Sequence, residues 1–154
     1  FILSIVLLIN KNKFIFCLLY FWGLIGATVA ILTPVINVNY THFRFWQFFI
    51  THALIIITVM YMIWVRNFKV KYNSVVKVFL ITNITLILVG IVNLILDANY
   101  FYICGDPAPR KQTLLDFMGP WPWYLLTMEV MGVGVFHLLY LPFYLKEKRK
   151  EEKT

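Results

Sequence analysis

The chain has 154 residues, of which 61% are hydrophobic, 18% aromatic and only 14% charged, with a mean hydropathy of +0.78. A soluble domain of this size is excluded, because it has too little interior to hide so much apolar surface. The net charge of +7 calls for no nucleic acid, since the cations cluster between apolar runs, as in the loops of membrane proteins.

Taken in order, Phe1 to Ile9 is apolar apart from Ser4. It reaches only about 13 Å as a helix, less than half the hydrocarbon core. It reads as the end of a helix that starts earlier, with the chain the C-terminal part of a longer protein. Four runs follow at 14–36, 45–65, 75–96 and 123–145. Each has about 20 residues, enough to cross the core at helical rise. No strand alternation is present, which excludes a barrel. The expected fold is all-α: one transmembrane helical bundle over 1–154, with four full spans and one partial span.

Local signals refine this outline. Gly23, Ala27 and Ala30 share a stripe of the first full span, with Gly26 beside it, a spacing that lets another helix approach closely. Pro34 should stop or kink that helix. Lys11, Lys13, Arg66, Lys69, Lys71, Lys77, Lys146, Lys148, Arg149, Lys150 and Lys153 lie on one side of the membrane by loop alternation. Only Arg44, Arg110 and Lys111 lie on the other. Eleven against three predicts a cytoplasmic tail at 146–154 and an outer loop at 97–122. The expected location is the plasma membrane, multi-pass, and the Lys-, Asn- and Ile-rich usage suggests a bacterium.

The outer loop is aromatic and proline-bearing, so it should lie on the bundle as a lid rather than be disordered. Thr113 to Asp116 resembles a capping box, and Asp97, Asp106 and Asp116 can pair with Arg110 and Lys111. Gly119-Pro-Trp-Pro-Trp123 should form a rigid lintel, with Trp121, Trp123 and Tyr124 at headgroup level.

Three ionisable residues lie inside the spans, away from their ends: His52, Glu129 and His137. Such groups are costly in lipid and normally face the bundle interior. His52 and Glu129 sit at nearly the same depth, roughly 10 Å in from the outer surface. Asn93 approaches from the outer end of its own span, and Gln47, Thr51 and Thr127 belong to the same half. This predicts a polar cluster beneath the lintel. His52 is then a candidate general base, with Glu129 or Asn93 orienting it. Gln47, Trp121, Trp123 and Tyr124 are candidate substrate contacts. A hydrogen-bond network that merely fastens the helices is the alternative. With no Cys-x-x-Cys or His-Glu-x-x-His pattern, neither a metal nor another cofactor is expected.

Tyr20-Phe-Trp-Gly-Leu-Ile-Gly-Ala27, Leu32-Thr-Pro34, His42-Phe-Arg-Phe-Trp-Gln-Phe-Phe49, His52, Asn83, Gly90-Ile-Val-Asn93, Asn99-Tyr100, and Leu114-Leu-Asp116 through Gly119-Pro-Trp-Pro-Trp-Tyr124 occur in this order. The series resembles the YwaF-like family of bacterial integral membrane proteins. The resemblance implies about six helices in the full protein and an early Leu-His-x-Cys motif that this chain lacks. It also implies a remote similarity to a vertebrate transmembrane acyltransferase that remodels ether phospholipids. The functional expectation is an intramembrane lipid acyl-transfer or hydrolytic enzyme with His52 as general base, its nucleophile upstream. Two alternatives stand beside it: a small-solute transporter or substrate-binding subunit, and a structural or partner-binding membrane protein. The expected partners are the lipid bilayer and a lipid or small-solute substrate.

Overall fold

A computed structural model describes residues 1–34, 36–105 and 118–152. It contains five principal helices: α1 (Ile2–Asn10), α2 (Lys13–Leu32), α3 (Phe43–Trp64), α4 (Tyr72–Leu96) and α5 (Trp123–Glu151). The last four are each long and apolar enough to cross a membrane. The protein is therefore an all-α, four-span membrane bundle, and no strand occurs among the described residues.

The helix ends follow from side-chain chemistry that apolar runs do not reveal. Asn12 caps α2 by accepting hydrogen bonds from the Phe14 and Ile15 amides at 2.8 and 3.3 Å. His42 caps α3, which starts two residues before the apolar run, with Nδ1 accepting from the Arg44 amide at 3.3 Å. Ring nitrogens and amide oxygens placed there occupy donors that the helix itself leaves unpaired. Helix α2 stops at Leu32 because Thr33 precedes Pro34 and is pushed out of the helical region, to φ −127°. Helix α5 runs six residues past the apolar run, because its charged tail remains helical to Glu151.

The chain forms two compact units, Phe1–Ser74 and Val75–Thr154. In the first, α2 is the central element. Every residue from Phe16 to Phe21 is buried, the mark of a helix that is apolar all round and packed on all sides. A π turn over Leu19–Gly23 interrupts it. Phe16 meets Phe68 edge-on at 5.2 Å, docking the turn after α3 onto the start of α2. At Gly23 a Cβ would stand 2.9 Å from Ile55 Cγ2. The small-residue stripe thus marks a close approach of α2 to α3 at this position, while Gly26 has open space around it.

In the second unit α4 and α5 form a hairpin. Phe79 of α4 meets Phe136 of α5 edge-on at 5.7 Å, and a Cβ at Gly132 would lie 3.8 Å from Phe79. At the other end of the hairpin, residues 97–105 and 118–122 form the described parts of the connecting loop. The expected capping box at Thr113–Asp116, the Asp106 and Asp116 pairings with Arg110 and Lys111, and the middle of the expected lid lie outside the described residues.

Candidate functional site

The most elaborated polar structure is the cap on the hairpin. Helix α4 ends with Asp97 in the left-handed region at φ 49°, and the Ala98 amide returns to the Asn93 carbonyl at 3.0 Å. That six-to-one closure ends the helix and turns the chain back over it. Phe101 and Tyr102 follow at φ 58° and 56°, a region that costs a side-chain-bearing residue about 1–2 kcal/mol. Such a loop persists only when its surroundings hold it.

Two side chains supply that hold. Asn93 is 2% exposed, and its amide engages the loop at both ends. Its Oδ1 accepts from the Tyr100 amide at 2.8 Å. Its Nδ2 donates to the Tyr100 carbonyl at 3.0 Å and contacts Cys104 Sγ at 3.6 Å. Tyr124, 1% exposed on the first turn of α5, donates through its hydroxyl to the carbonyls of Tyr102 and Gly105. Asn99 adds a further clamp, accepting from the Cys104 amide at 2.9 Å and donating to the Gly105 carbonyl at 3.2 Å. The Trp121 indole donates to the Ile103 carbonyl at 3.4 Å. Each net bond contributes only about 0.5–1.5 kcal/mol, so it takes the set together to offset the backbone strain.

The cap holds its aromatic rings outward. Tyr100, Phe101, Tyr102, Trp121 and Trp123 are all 46–68% exposed. The lintel is non-helical as its sequence implies, with Gly119 at φ 99° and Pro122 at the helix start. Of the expected substrate contacts, Trp121 and Trp123 lie on this surface. Tyr124 does not: it is buried and serves as the staple beneath. Gln47 is exposed on α3, in the first unit.

The expected catalytic residues divide between the two units. His52 belongs to the first unit and Glu129 to the second. His52 is half-buried, stacks on Phe48 at 4.3 Å, and bonds through Nδ1 to the Phe48 carbonyl of its own helix at 2.7 Å. Since a carbonyl can only accept, Nδ1 is the donor in this bond. His137 makes the same bond to the Val133 carbonyl at 2.8 Å. Glu129 is half-buried two turns into α5, on the stripe that carries Gly132 and Phe136, and makes no hydrogen bond or ion pair among the described residues. Asn93, expected to orient a base, has its amide taken up by the loop. No group of three or more His, Cys, Asp or Glu able to hold a metal is found among the described residues.

Reading the sequence missed the role of Asn99, Tyr102 and Cys104. The signal available was weak: an Asp-Ala-Asn-Tyr run just past a span, rich in residues that bond their own backbone in turns.

The sequence model of the TMEM164 family matches residues 1–140. The chain belongs to the TMEM164 family. This corrects the resemblance to the YwaF-like family, with which it shares only the character of an integral membrane protein. The acyl-transfer or hydrolytic expectation with His52 as base, drawn from the depth of His52 and from that resemblance, loses its support with the family found. Neither the curated proteins nor the solved structures offer a match.

Proposed function

We propose that this TMEM164-family protein recognises the headgroup of a zwitterionic phospholipid on the aromatic cap that closes α4 and α5. One observation carries the reading: five exposed aromatic rings stand on a strained loop that Asn93 and Tyr124 hold in place. A loop needed only to connect two spans has no cause to store strain or to spend a buried amide and a buried phenol. Amphipathic rings of this kind belong at headgroup depth. There the Trp123 indole N–H, which bonds nothing among the described residues, is a donor for a lipid phosphate. The faces of Tyr100, Phe101 and Trp121 suit the ammonium group, and the carboxylate of Asp97, exposed at the start of the same loop, adds attraction.

The charge bias between the loops supports a cytoplasmic C-terminus, which puts the cap on the outer face, in keeping with a plasma-membrane protein. The test is to reconstitute the protein with a photoactivatable phosphatidylcholine and map the crosslinks by mass spectrometry. Labelling concentrated on 99–105 and 121–123, and lost in Trp123→Ala, is expected. Labelling spread evenly along the lipid-facing sides of all spans would reject the proposal.

A further inference from the structure

The far end of α5 carries a second feature that the aromatic cap does not explain. The tail 146–152 contains four cations and three carboxylates, which in an extended chain nearly cancel. The helix does not let them mix. At about 100° per residue, Leu145, Arg149, Pro142, Lys146 and Lys150 fall in one arc of roughly 140°, and they line an open groove. Glu151 lies opposite, with Glu147 and Lys148 to either side of it and Glu152 on the flank beside Leu145. One face of the tail is therefore cationic with an apolar floor, although the segment as a whole is almost neutral.

Depth gives this face its meaning. From Trp123 to Leu145 the helix rises about 33 Å, the thickness of the hydrocarbon core. With Trp121 and Trp123 anchoring one surface, Lys146 emerges at the other, and Arg149 and Lys150 stand roughly 5 Å further out, level with lipid phosphates. Pro142 and Leu145 remain at acyl-chain level. Apolar floor and cationic rim thus match the two parts of one molecule, an acyl chain and its phosphate.

We propose that Lys146, Arg149 and Lys150 bind the headgroup of an anionic phospholipid in the leaflet where α5 ends. Arg149 offers a planar, forked donor set for the phosphate oxygens. The two lysines add point charges, and Pro142 and Leu145 seat the upper acyl chain. A cation near an anionic membrane surface contributes about fivefold in affinity, so three on one face predict a selectivity well above that of bulk charge.

The experiment places the full protein in nanodiscs of equal phosphatidylserine and phosphatidylcholine, and counts the lipids that remain bound by native mass spectrometry. Phosphatidylserine should be retained at least several-fold over phosphatidylcholine. The Lys146→Gln/Arg149→Gln/Lys150→Gln variant should fall to near parity while remaining folded, since all three side chains are exposed. Lys148→Gln, which removes a cation from the flank, should keep the preference. Parity in the wild type, a preference that survives the triple change, or equal loss in Lys148→Gln would each overturn the proposal.

Discussion

The core of the first unit is mainly hydrocarbon, with Leu7, Phe16, Phe21, Val59 and Met62 at most 1% exposed, and beside it Ser4, Tyr20 and Thr58 are buried too. Its buried Thr58 bonds a carbonyl of its own helix. The second unit buries an amide and a phenol, Asn93 and Tyr124, and both reach out of their helices to hold a loop. In a bilayer this contrast has a physical basis. Lipid tails are as apolar as Leu, so apolar side chains gain from meeting only through close packing, whereas a buried polar group must find a partner. Close approach at Gly23 serves the first unit, and a hydrogen-bonded cap serves the second.

The sharpest way to break the comparison is to remove the clamp. Asn93→Leu leaves the Tyr100 amide and carbonyl without their partner. An unsatisfied buried group costs about 1–3 kcal/mol, so a loss of about 3 kcal/mol is expected, together with rapid proteolysis within 99–105. Thermal unfolding in detergent and limited digestion measure both. A variant with unchanged melting and an uncut loop would show that the cap stands without Asn93. Tyr124→Phe removes one hydroxyl and its bonds to two carbonyls while keeping the ring. It should cost about 1–2 kcal/mol and should also weaken lipid crosslinking at the cap, since the rings lose their support.

The opposite unit answers to steric rather than polar change. Gly23→Ala sets a methyl 2.9 Å from Ile55 Cγ2 and 3.1 Å from Leu19 Cδ1. Overpacking of this kind costs about 1–3 kcal/mol, less whatever helix propensity alanine returns, so a net loss of about 1 kcal/mol is expected. Gly26→Ala, with nothing within 4 Å, should be neutral or slightly stabilising. The Gly23→Ala/Ile55→Ala pair should be less damaging than the sum of its parts. Additive losses would remove close approach as the reason for Gly23.

How far such features can be read without coordinates depends on the range of the interaction. The four spans are legible because length and apolarity alone decide membrane crossing, and Pro34 marks its helix end by a local clash. The boundaries at His42 and Glu151 escape the apolar count because they rest on a cap and on a charged helical tail. At the cap, Asn93 is visible as a polar residue near a span end, but its partner is a backbone group seven residues on. That contact depends on the left-handed conformation of Asp97, which turns the chain back over the helix end and which nothing in its residue type announces. Tyr124 misleads for a related reason. Its neighbours Trp121 and Trp123 face outward, and only the helix start at Trp123 turns its ring inward.

The smallest expected effect decides what the mid-span polar groups are for. His52, Thr58, Thr82, Asn83, Thr85 and His137 each bond the carbonyl four residues earlier at 2.7–3.1 Å. Such a carbonyl already accepts the helix's own amide, so the side chain adds a second bond rather than rescuing an unpaired group. Deleting the hydroxyl therefore strands nothing. Thr58→Val and Thr85→Val keep the branched shape and should change stability by less than about 0.5 kcal/mol, below even the ~0.6 kcal/mol average of a bond between membrane helices. Unfolding of each variant beside Asn93→Leu in the same detergent measures the ratio. If Thr85→Val costs as much as Asn93→Leu, the mid-span groups tie helices together, and the distinction between self-satisfied spans and a clamped cap is lost. If the cost stays near zero, depth in the membrane alone is no sign of a site, because a polar side chain there can be satisfied without leaving its own helix.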